Sequence, residues 1–188
     1  MRAITIIPGT SRVELQDFPE PELLTSTQVK IQILEVGICG TDREEATGGR
    51  ADAPPESPYL IIGHEMFGKV VDVGEDVATV SIGDFAVLSV RRGCGKCFPC
   101  LNNRSDLCYT GEYKERGIKG LHGFETEFVV DEEQYVIKVP ESMRSIGVLA
   151  EPMSVAEKAI DEGLSLQRSR LPEVSRIGLK AKKRWLWE

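Results

Sequence analysis

Four cysteines lie within fifteen residues of this chain, and they constrain its fold more than any other feature. Cys94, Cys97, Cys100 and Cys108 follow the spacing C-x2-C-x2-C-x7-C. Glycine and proline between them favour turns that bring four thiolates to one point, the closed tetrahedral shell of a structural zinc. A bacterial ferredoxin run has its fourth cysteine after three residues and before proline, so the spacing disfavours an iron–sulfur cluster. Disulfides are the other alternative, and clustering this tight favours metal binding.

The composition indicates an ordinary globular chain. The 188 residues are 41% hydrophobic and 28% charged, which is close to the average for globular domains. No apolar run approaches the roughly 20 residues that span a bilayer, and the N-terminus lacks a signal-peptide pattern. The net charge of −7 argues against a nucleic-acid surface over the whole chain. We therefore expect a cytoplasmic protein with neither a membrane partner nor a nucleic-acid partner.

The hydrophobic pattern predicts a mainly β fold with few helices. Short extended runs separated by glycines indicate a barrel or a sandwich rather than a parallel sheet. Helices are predicted over residues 153–162, after Pro152, and in a short segment after Thr41. Strands are predicted at residues 3–8, 13–17, 29–36, 66–73, 84–90, 125–130 and 135–139.

A second group of candidate metal ligands is scattered along the chain. Cys39 lies in GICGTD, His64 and Glu65 lie in GHE, and Glu151 lies in AEP. Taken singly each is weak, because a lone buried cysteine is usually just a small hydrophobic residue. Together a cysteine, a histidine and a carboxylate form a three-ligand set that leaves the fourth position of zinc open, which is typical of catalytic zinc.

Four segments together resemble one enzyme family. GICGTD, GHEMFGKVVDVG, DFAVLSVRRGCGKCFPC and LAEPMSVAEKAI resemble zinc-dependent medium-chain alcohol/polyol dehydrogenases, and more narrowly the archaeal-type glucose dehydrogenases. The resemblance runs from residue 1 to about residue 164. It implies a GroES-like, partly open β-barrel with a four-cysteine zinc lobe. It also implies one structural and one catalytic zinc, hydride transfer from a sugar or alcohol to NAD or NADP, and a homo-oligomer.

The resemblance also implies which residues hold the two metals. Cys39 and His64 match the catalytic-zinc ligands, and Glu65 matches the adjacent glutamate, which either ligates directly or exchanges with water. Glu151 falls where sugar-acting members have a carboxylate or an amide, which makes it a candidate ligand and a candidate substrate contact. The four cysteines match the structural-zinc lobe, at residues 91–110.

The remaining site residues follow from the same resemblance. Thr41 occupies the position of the serine or threonine that passes the substrate proton outward, so Thr41 and Glu65 are the catalytic candidates. Glu115, within GEYKERG, matches a glutamate that contacts sugar hydroxyls. Val90 stands where the glucose dehydrogenases typically place a sugar-binding asparagine. One polar anchor is kept and one is lost, which leaves the choice between glucose and another sugar or polyol open.

The expected nucleotide-binding part is not recognisable in this sequence. The Rossmann domain of the family should begin just after Leu171, yet no G-x-G-x-x-G occurs and a basic tail with both tryptophans follows. We therefore expect a GroES-like catalytic zinc domain at residues 1–164 and a basic tail at residues 165–188. We also expect the isolated chain, as a truncated gene product, neither to bind NAD(P) nor to turn over. A non-catalytic zinc-binding barrel, or a zinc hydrolase using Glu65, is the alternative.

Overall fold

The computed structural model describes residues 1–170 of the chain. Over these residues the chain is mainly β, as the sequence pattern predicts, with eleven strands and few helices. The chain divides into two compact units, Met1–Glu151 and Pro152–Glu188. The first unit contains the eleven strands and every candidate metal ligand. The described part of the second unit is the continuation of one helix.

The strands form three sheets. In the first sheet the order is β2-β1-β4, in the second β10-β3-β5-β6-β11, and in the third β7-β8-β9. Neighbouring strands are antiparallel except for the parallel pair β8–β9. Their bounds are β1 (Arg2–Ile6), β2 (Val13–Asp17), β3 (Gln28–Gly37), β4 (Leu60–Ile61), β5 (Glu65–Val73), β6 (Phe85–Leu88), β7 (Arg91–Arg92), β8 (Lys114–Arg116), β9 (Gly120–Leu121), β10 (Phe128–Glu132) and β11 (Val136–Val139).

The main core lies against the five-stranded sheet. Val29 and Ile31 alternate with more exposed neighbours along β3, so one face of this strand is buried as the sequence pattern predicts. Phe67 and Phe85 stack with ring centroids 5.3 Å apart in the same core. The pairing of β3 with β5 contains two irregularities of register. Such bulges increase the local twist of a sheet, which helps it to curve.

A buried ion network joins the small third sheet to the five-stranded sheet. Asp131, on β10, accepts from Arg92 of β7 at 2.6 Å and from Nε of Arg116 of β8 at 3.2 Å. The guanidinium of Arg92 also stacks 3.6 Å from the ring centroid of Tyr135. Two cations sharing one carboxylate thereby anchor the strands that flank the four-cysteine lobe.

The helices depart from the predicted bounds mainly at their ends. The short helix after Thr41 is present as α1 (Gly40–Ala46), and the predicted 153–162 helix is present in the longer α3 (Ala150–Arg170). α3 starts early because it continues directly from a 3₁₀ helix, and proline is tolerated in a first helical turn. The other helical segments are α2 (Phe98–Leu101) and the 3₁₀ helices Ser105–Leu107, Glu133–Tyr135 and Glu141–Leu149.

Two further predictions concern the basic tail and membrane-spanning segments. The predicted basic tail at 165–188 begins inside α3, and its residues 171–188 lie outside the described residues. Among the helices at residues 1–170, none combines the length and the apolar character needed to cross a bilayer.

Candidate metal centres

The four-cysteine cluster has the dimensions of a tetrahedral metal site. The Sγ atoms of Cys94 and Cys100 lie 3.8 Å apart, and those of Cys97 and Cys108 lie 3.9 Å apart. Zinc–sulfur bonds of about 2.3 Å in a tetrahedron place two sulfurs about 3.8 Å apart. All four thiols are free rather than paired in disulfides. The structure thus brings the four predicted ligands together at the spacing that zinc requires.

Glycines make this tight arrangement possible. A Cβ at Gly93 would lie 2.6 Å from Cys100 Sγ, so only glycine leaves room for that thiol. Gly95 has a φ of 71°, a conformation that glycine adopts without strain. Cys97 then caps the short helix α2, and its backbone N–H donates to Cys94 Sγ at 3.4 Å.

Thr110 is a polar neighbour of the cluster that the sequence analysis missed. Its hydroxyl oxygen accepts from the backbone N–H of Glu112 and lies 3.4 Å from Cys108 Sγ, so its O–H is free to donate to the thiolate. A hydrogen bond from Thr110 also lowers the pKa of Cys94 to about 6. Burial raises the pKa of Cys100 to about 12. These thiols therefore differ in how readily they ionise before a metal joins them.

A second cluster combines residues from two parts of the chain. Donor atoms of Cys39, His64 and Glu65 all lie within 4.8 Å of one another. Cys39 precedes α1, His64 follows β4, and Glu65 begins β5. Cys39 Sγ lies 3.2 Å from His64 Nε2, close to the separation of about 3.5 Å that tetrahedral zinc would impose on sulfur and nitrogen ligands. These residues fit a zinc ion by donor type and by spacing.

Asp42 holds this second cluster in place, and the sequence analysis missed it. Its Oδ2 accepts from the backbone N–H of Cys39 at 2.7 Å, and its Oδ1 lies 3.4 Å from His64 Nδ1. Burial lowers the pKa of His64, but the contact with Asp42 outweighs burial and raises it to about 9. A carboxylate behind a histidine fixes the ring and leaves its other nitrogen for a metal. A visible signal was the position of Asp42, three residues after Cys39 at the start of a helix.

Glu151 and Thr41 interact with members of this second cluster, but neither is among its three grouped donors. Burial raises the pKa of Glu151, the charge of His64 lowers it, and the charge of Glu65 raises it. Glu151 therefore interacts electrostatically with two members of the cluster, although it is not among the three donors grouped within 4.8 Å. The backbone N–H of Thr41 donates to Cys39 Sγ at 3.2 Å. The ligand role of Glu151 and the proton-transfer role of Thr41 stay predictions.

The structure gives Glu115 a cationic partner. Arg91 and Glu115 face each other across the β7–β8 pair, and their side chains form an ion pair at 3.1 Å. The guanidinium of Arg91 also stacks 3.7 Å from the ring centroid of Tyr113. The carboxylate of Glu115 is thus held in one orientation, while its predicted contact with a sugar stays a prediction.

Glu45 is a second buried carboxylate on α1, the helix that carries Asp42. α1 buries Asp42 and Glu45 on one side, and the side chain of Glu45 is fully buried. Neither carboxylate oxygen of Glu45 has a hydrogen-bond partner. Burial, followed by the charge of Asp42, raises the pKa of Glu45 to about 7. Burial raises the pKa of Glu125, on the same side of the site, to about 7 as well.

Comparison with protein families and curated proteins gives consistent matches. Residues 25–141 match the model of the alcohol dehydrogenase GroES-like domain. The chain is 42% identical over 171 residues to the glucose 1-dehydrogenase of Methanocella arvoryzae, covering 89% of this chain and 47% of the relative. It is 43% identical over 171 residues to glucose 1-dehydrogenase 1 of Vulcanisaeta moutnovskia, covering 90% of this chain and 48% of the relative. The chain thus spans about half the length of the curated relatives it matches.

A solved structure gives a similar result. The glucose dehydrogenase of Haloferax mediterranei, determined in complex with NADP, Zn and gluconolactone, superimposes with a TM-score of 0.80 at 35% sequence identity. The match covers 88% of this chain and 46% of the Haloferax chain.

Proposed function

Because the chain belongs to the family of alcohol dehydrogenase GroES-like domains, we propose that it is the catalytic domain of a zinc-dependent, NAD(P)-linked dehydrogenase of a glucose-like sugar or a polyol. The observation that carries the proposal is the cluster of Cys39, His64 and Glu65. Its residues differ from those of the four-cysteine cluster, which supports one catalytic and one structural zinc. The glucose dehydrogenases among its relatives support the substrate class.

The residues of the second cluster and Asp42 would have different roles in binding a metal. Cys39 and His64 would bind it, and Glu65 would complete a set that leaves a position for substrate. A zinc ion bound there would supply a Lewis acid that lowers the pKa of a substrate hydroxyl. Asp42 keeps the His64 ring oriented through its contact with Nδ1. Its second oxygen fixes the backbone of Cys39, so one carboxylate positions two ligands.

Three other residues would act on the substrate. Thr41, which lies in the first turn of α1 beside Cys39, would relay the hydroxyl proton outward through its own hydroxyl. Glu151 would lie at the edge of the site, where its carboxylate either ligates the metal or accepts from a sugar hydroxyl. Glu115, oriented by its ion pair with Arg91, would accept from another hydroxyl. Hydrogen-bonded hydroxyls are a strong source of discrimination between such substrates.

The hydride acceptor, NAD or NADP, would be bound outside residues 1–170. A nicotinamide dinucleotide is usually held where a glycine-rich turn joins a strand to a helix in a parallel sheet. Within the described part of the chain, no α-helix connects two parallel strands of one sheet. Hydride transfer requires donor and acceptor atoms held about 3–3.5 Å apart. We therefore propose that the 188-residue chain alone does not reduce NAD or NADP.

A chimera tests this proposal directly. Residues 1–170 would be joined to the part of the Haloferax enzyme that this chain does not cover, and NADP reduction would be measured with glucose, xylose and simple alcohols. We expect reduction with a sugar, lowered more than about 100-fold by His64→Ala because a metal ligand is lost, and no reduction by the isolated chain. A folded chimera with both metals but no reduction would contradict the proposal and favour a non-catalytic zinc-binding barrel. Ester hydrolysis without any cofactor would instead favour the zinc hydrolase.

A further inference from the structure

Gly37 lies directly beneath one of the candidate metal ligands. It is the last residue of β3, and it pairs with Glu65, the first residue of β5. A Cβ at position 37 would overlap Oε2 of Glu65 and would lie 3.0 Å from its Cβ and 3.1 Å from its carboxyl carbon. The carboxylate of Glu65 therefore folds back over the end of β3, through the space that a side chain at position 37 would fill.

Backbone conformation does not explain glycine at this position. Glycines of this chain that need a left-handed conformation include Gly63, with a φ of 90°, whereas Gly37 is outside that group. Gly37 lies in a strand and has no left-handed φ, so it lacks the backbone feature that favours glycine. The close approach of Glu65 is thus the observed feature that requires glycine here.

We infer that Gly37 is a positioning residue for the catalytic metal, because its missing Cβ lets the carboxylate of Glu65 reach the donor atoms of Cys39 and His64. This inference rests on the proposed function, since it assigns Glu65 to a metal. The atom that a Cβ would overlap most is the far end of a flexible side chain, whereas the Cβ of Glu65 would have to give way by only a few tenths of an ångström. The protein would therefore relieve the overlap by swinging the carboxylate away rather than by moving the strand. A side chain at position 37 would cost a metal ligand and leave the fold intact.

The charges of the ligands indicate that a side chain at position 37 would weaken metal binding. Cys39 as a thiolate and Glu65 as a carboxylate together balance the two positive charges of a divalent metal, with His64 neutral. If the carboxylate swings away, a positive charge is left uncompensated and a hard oxygen ligand is lost. Both changes weaken binding of the metal, because affinity follows ligand number and charge.

A double-mutant cycle tests the inference without any enzyme assay. Gly37→Ala, Glu65→Ala and the double variant would be prepared as the full chain, with Gly40→Ala as a matched control. Nothing lies within 4 Å of a Cβ at Gly40, the first residue of α1, although it follows Gly37 closely along the chain. Zn²⁺ affinity at the more weakly bound site would be measured by competition with a chromophoric chelator, and the absorption spectrum of the Co²⁺-loaded protein would report coordination.

The two single variants and the double variant should behave alike. We expect Gly37→Ala and Glu65→Ala each to lower Zn²⁺ affinity by about 10-fold or more, with a similar change in the Co²⁺ spectrum. The double variant should be about as weak as Glu65→Ala alone, since the overlap with Oε2 disappears with the carboxylate and only the 3.0 Å approach to the Cβ of residue 65 is left. Gly40→Ala should bind as the wild type does, and all variants should unfold at nearly the wild-type temperature.

Three results would overturn the inference, and they separate it from the proposed function. If Gly37→Ala binds Zn²⁺ as tightly as the wild type, Gly37 has no positioning role, while the proposed function stands. If the effects of Gly37→Ala and Glu65→Ala add in the double variant, Gly37 acts through the backbone instead of through Glu65. If the wild type binds one Zn²⁺ only, and Cys39→Ser still binds it, both the inference and the proposed function fail.

Discussion

At the scale of single residues, Glu45 makes a pH-dependent prediction. Its carboxyl is buried without a partner, and burial followed by the charge of Asp42 raises its pKa from 4.5 to about 7. The folded protein therefore holds the proton more tightly than the unfolded chain does. The resulting stability is complete below pH 4.5 and is lost as the pH rises to about 7. Glu45→Gln carries no such group, so it should gain stability relative to wild type over this window.

Chemical denaturation of both proteins, with the Cys39 site stripped of metal, measures this gain. Between about pH 5.5 and about pH 8 we expect the difference in unfolding free energy to move in favour of Glu45→Gln by about 2 kcal/mol. The charges of His64, Arg50 and Glu125 also act on the pKa of Glu45, and these residues are common to both proteins. A difference that stays constant across the window would show that Glu45 ionises normally in the folded state.

Residue types and spacing predict ligands better than they predict the residues that support them. Cys39, His64, Glu65 and Glu151 were predicted as one site, and the structure groups the donor atoms of the first three. Asp42 and Gly37 were missed because their roles depend on distances across the fold. From sequence, Asp42 indicates an ordinary helix start and Gly37 an ordinary turn. Their roles become visible only when the fold places His64 beside Asp42 and Glu65 opposite Gly37.

At the scale of secondary-structure elements, Asp131 predicts how the four-cysteine lobe is held. It is the shared partner of the buried Arg92 and the partly buried Arg116, from two strands of the small sheet. Asp131→Asn would leave the buried Arg92 without a counter-charge and would remove one from Arg116. We expect a loss of about 3–5 kcal/mol in unfolding free energy, measured by urea denaturation.

A surface ion pair serves as the matched control for Asp131. Arg2 and Glu127 lie 3.1 Å apart with largely exposed side chains, so water compensates each charge when its partner is removed. Glu127→Gln should leave the urea midpoint almost unchanged. An effect of Asp131→Asn as small as that of Glu127→Gln would mean that the buried network does not anchor the lobe.

The strands predicted correctly from the sequence are those long enough to show a hydrophobic pattern. β3 and β5 alternate or run apolar over nine or ten residues, and both were predicted. The two- and three-residue strands β4, β7, β8 and β9 were missed because so short a strand carries no periodicity. β10 was predicted at 125–130 and lies at Phe128–Glu132, since apolar content alone did not fix where its pairing with β3 begins.

At the scale of the whole molecule, the mainly β, GroES-like fold predicted from the sequence is confirmed by the family match and the structural similarity. The four predicted cysteine ligands do meet at one point in the structure. The oligomeric state was not derivable from the sequence, because it depends on surfaces that come together only between folded chains.

The central claim is that this chain carries two metal sites of different character. A closed shell of four thiolates should resist mild chelation, whereas the site of Cys39, His64 and Glu65 has an open position and should release its metal. Elemental analysis of the purified protein, before and after brief treatment with a chelator, tests this most directly. We expect two zinc ions per chain, falling to one, and a single retained zinc in Cys39→Ser. Loss of both metals together, or iron in place of zinc, would contradict the account.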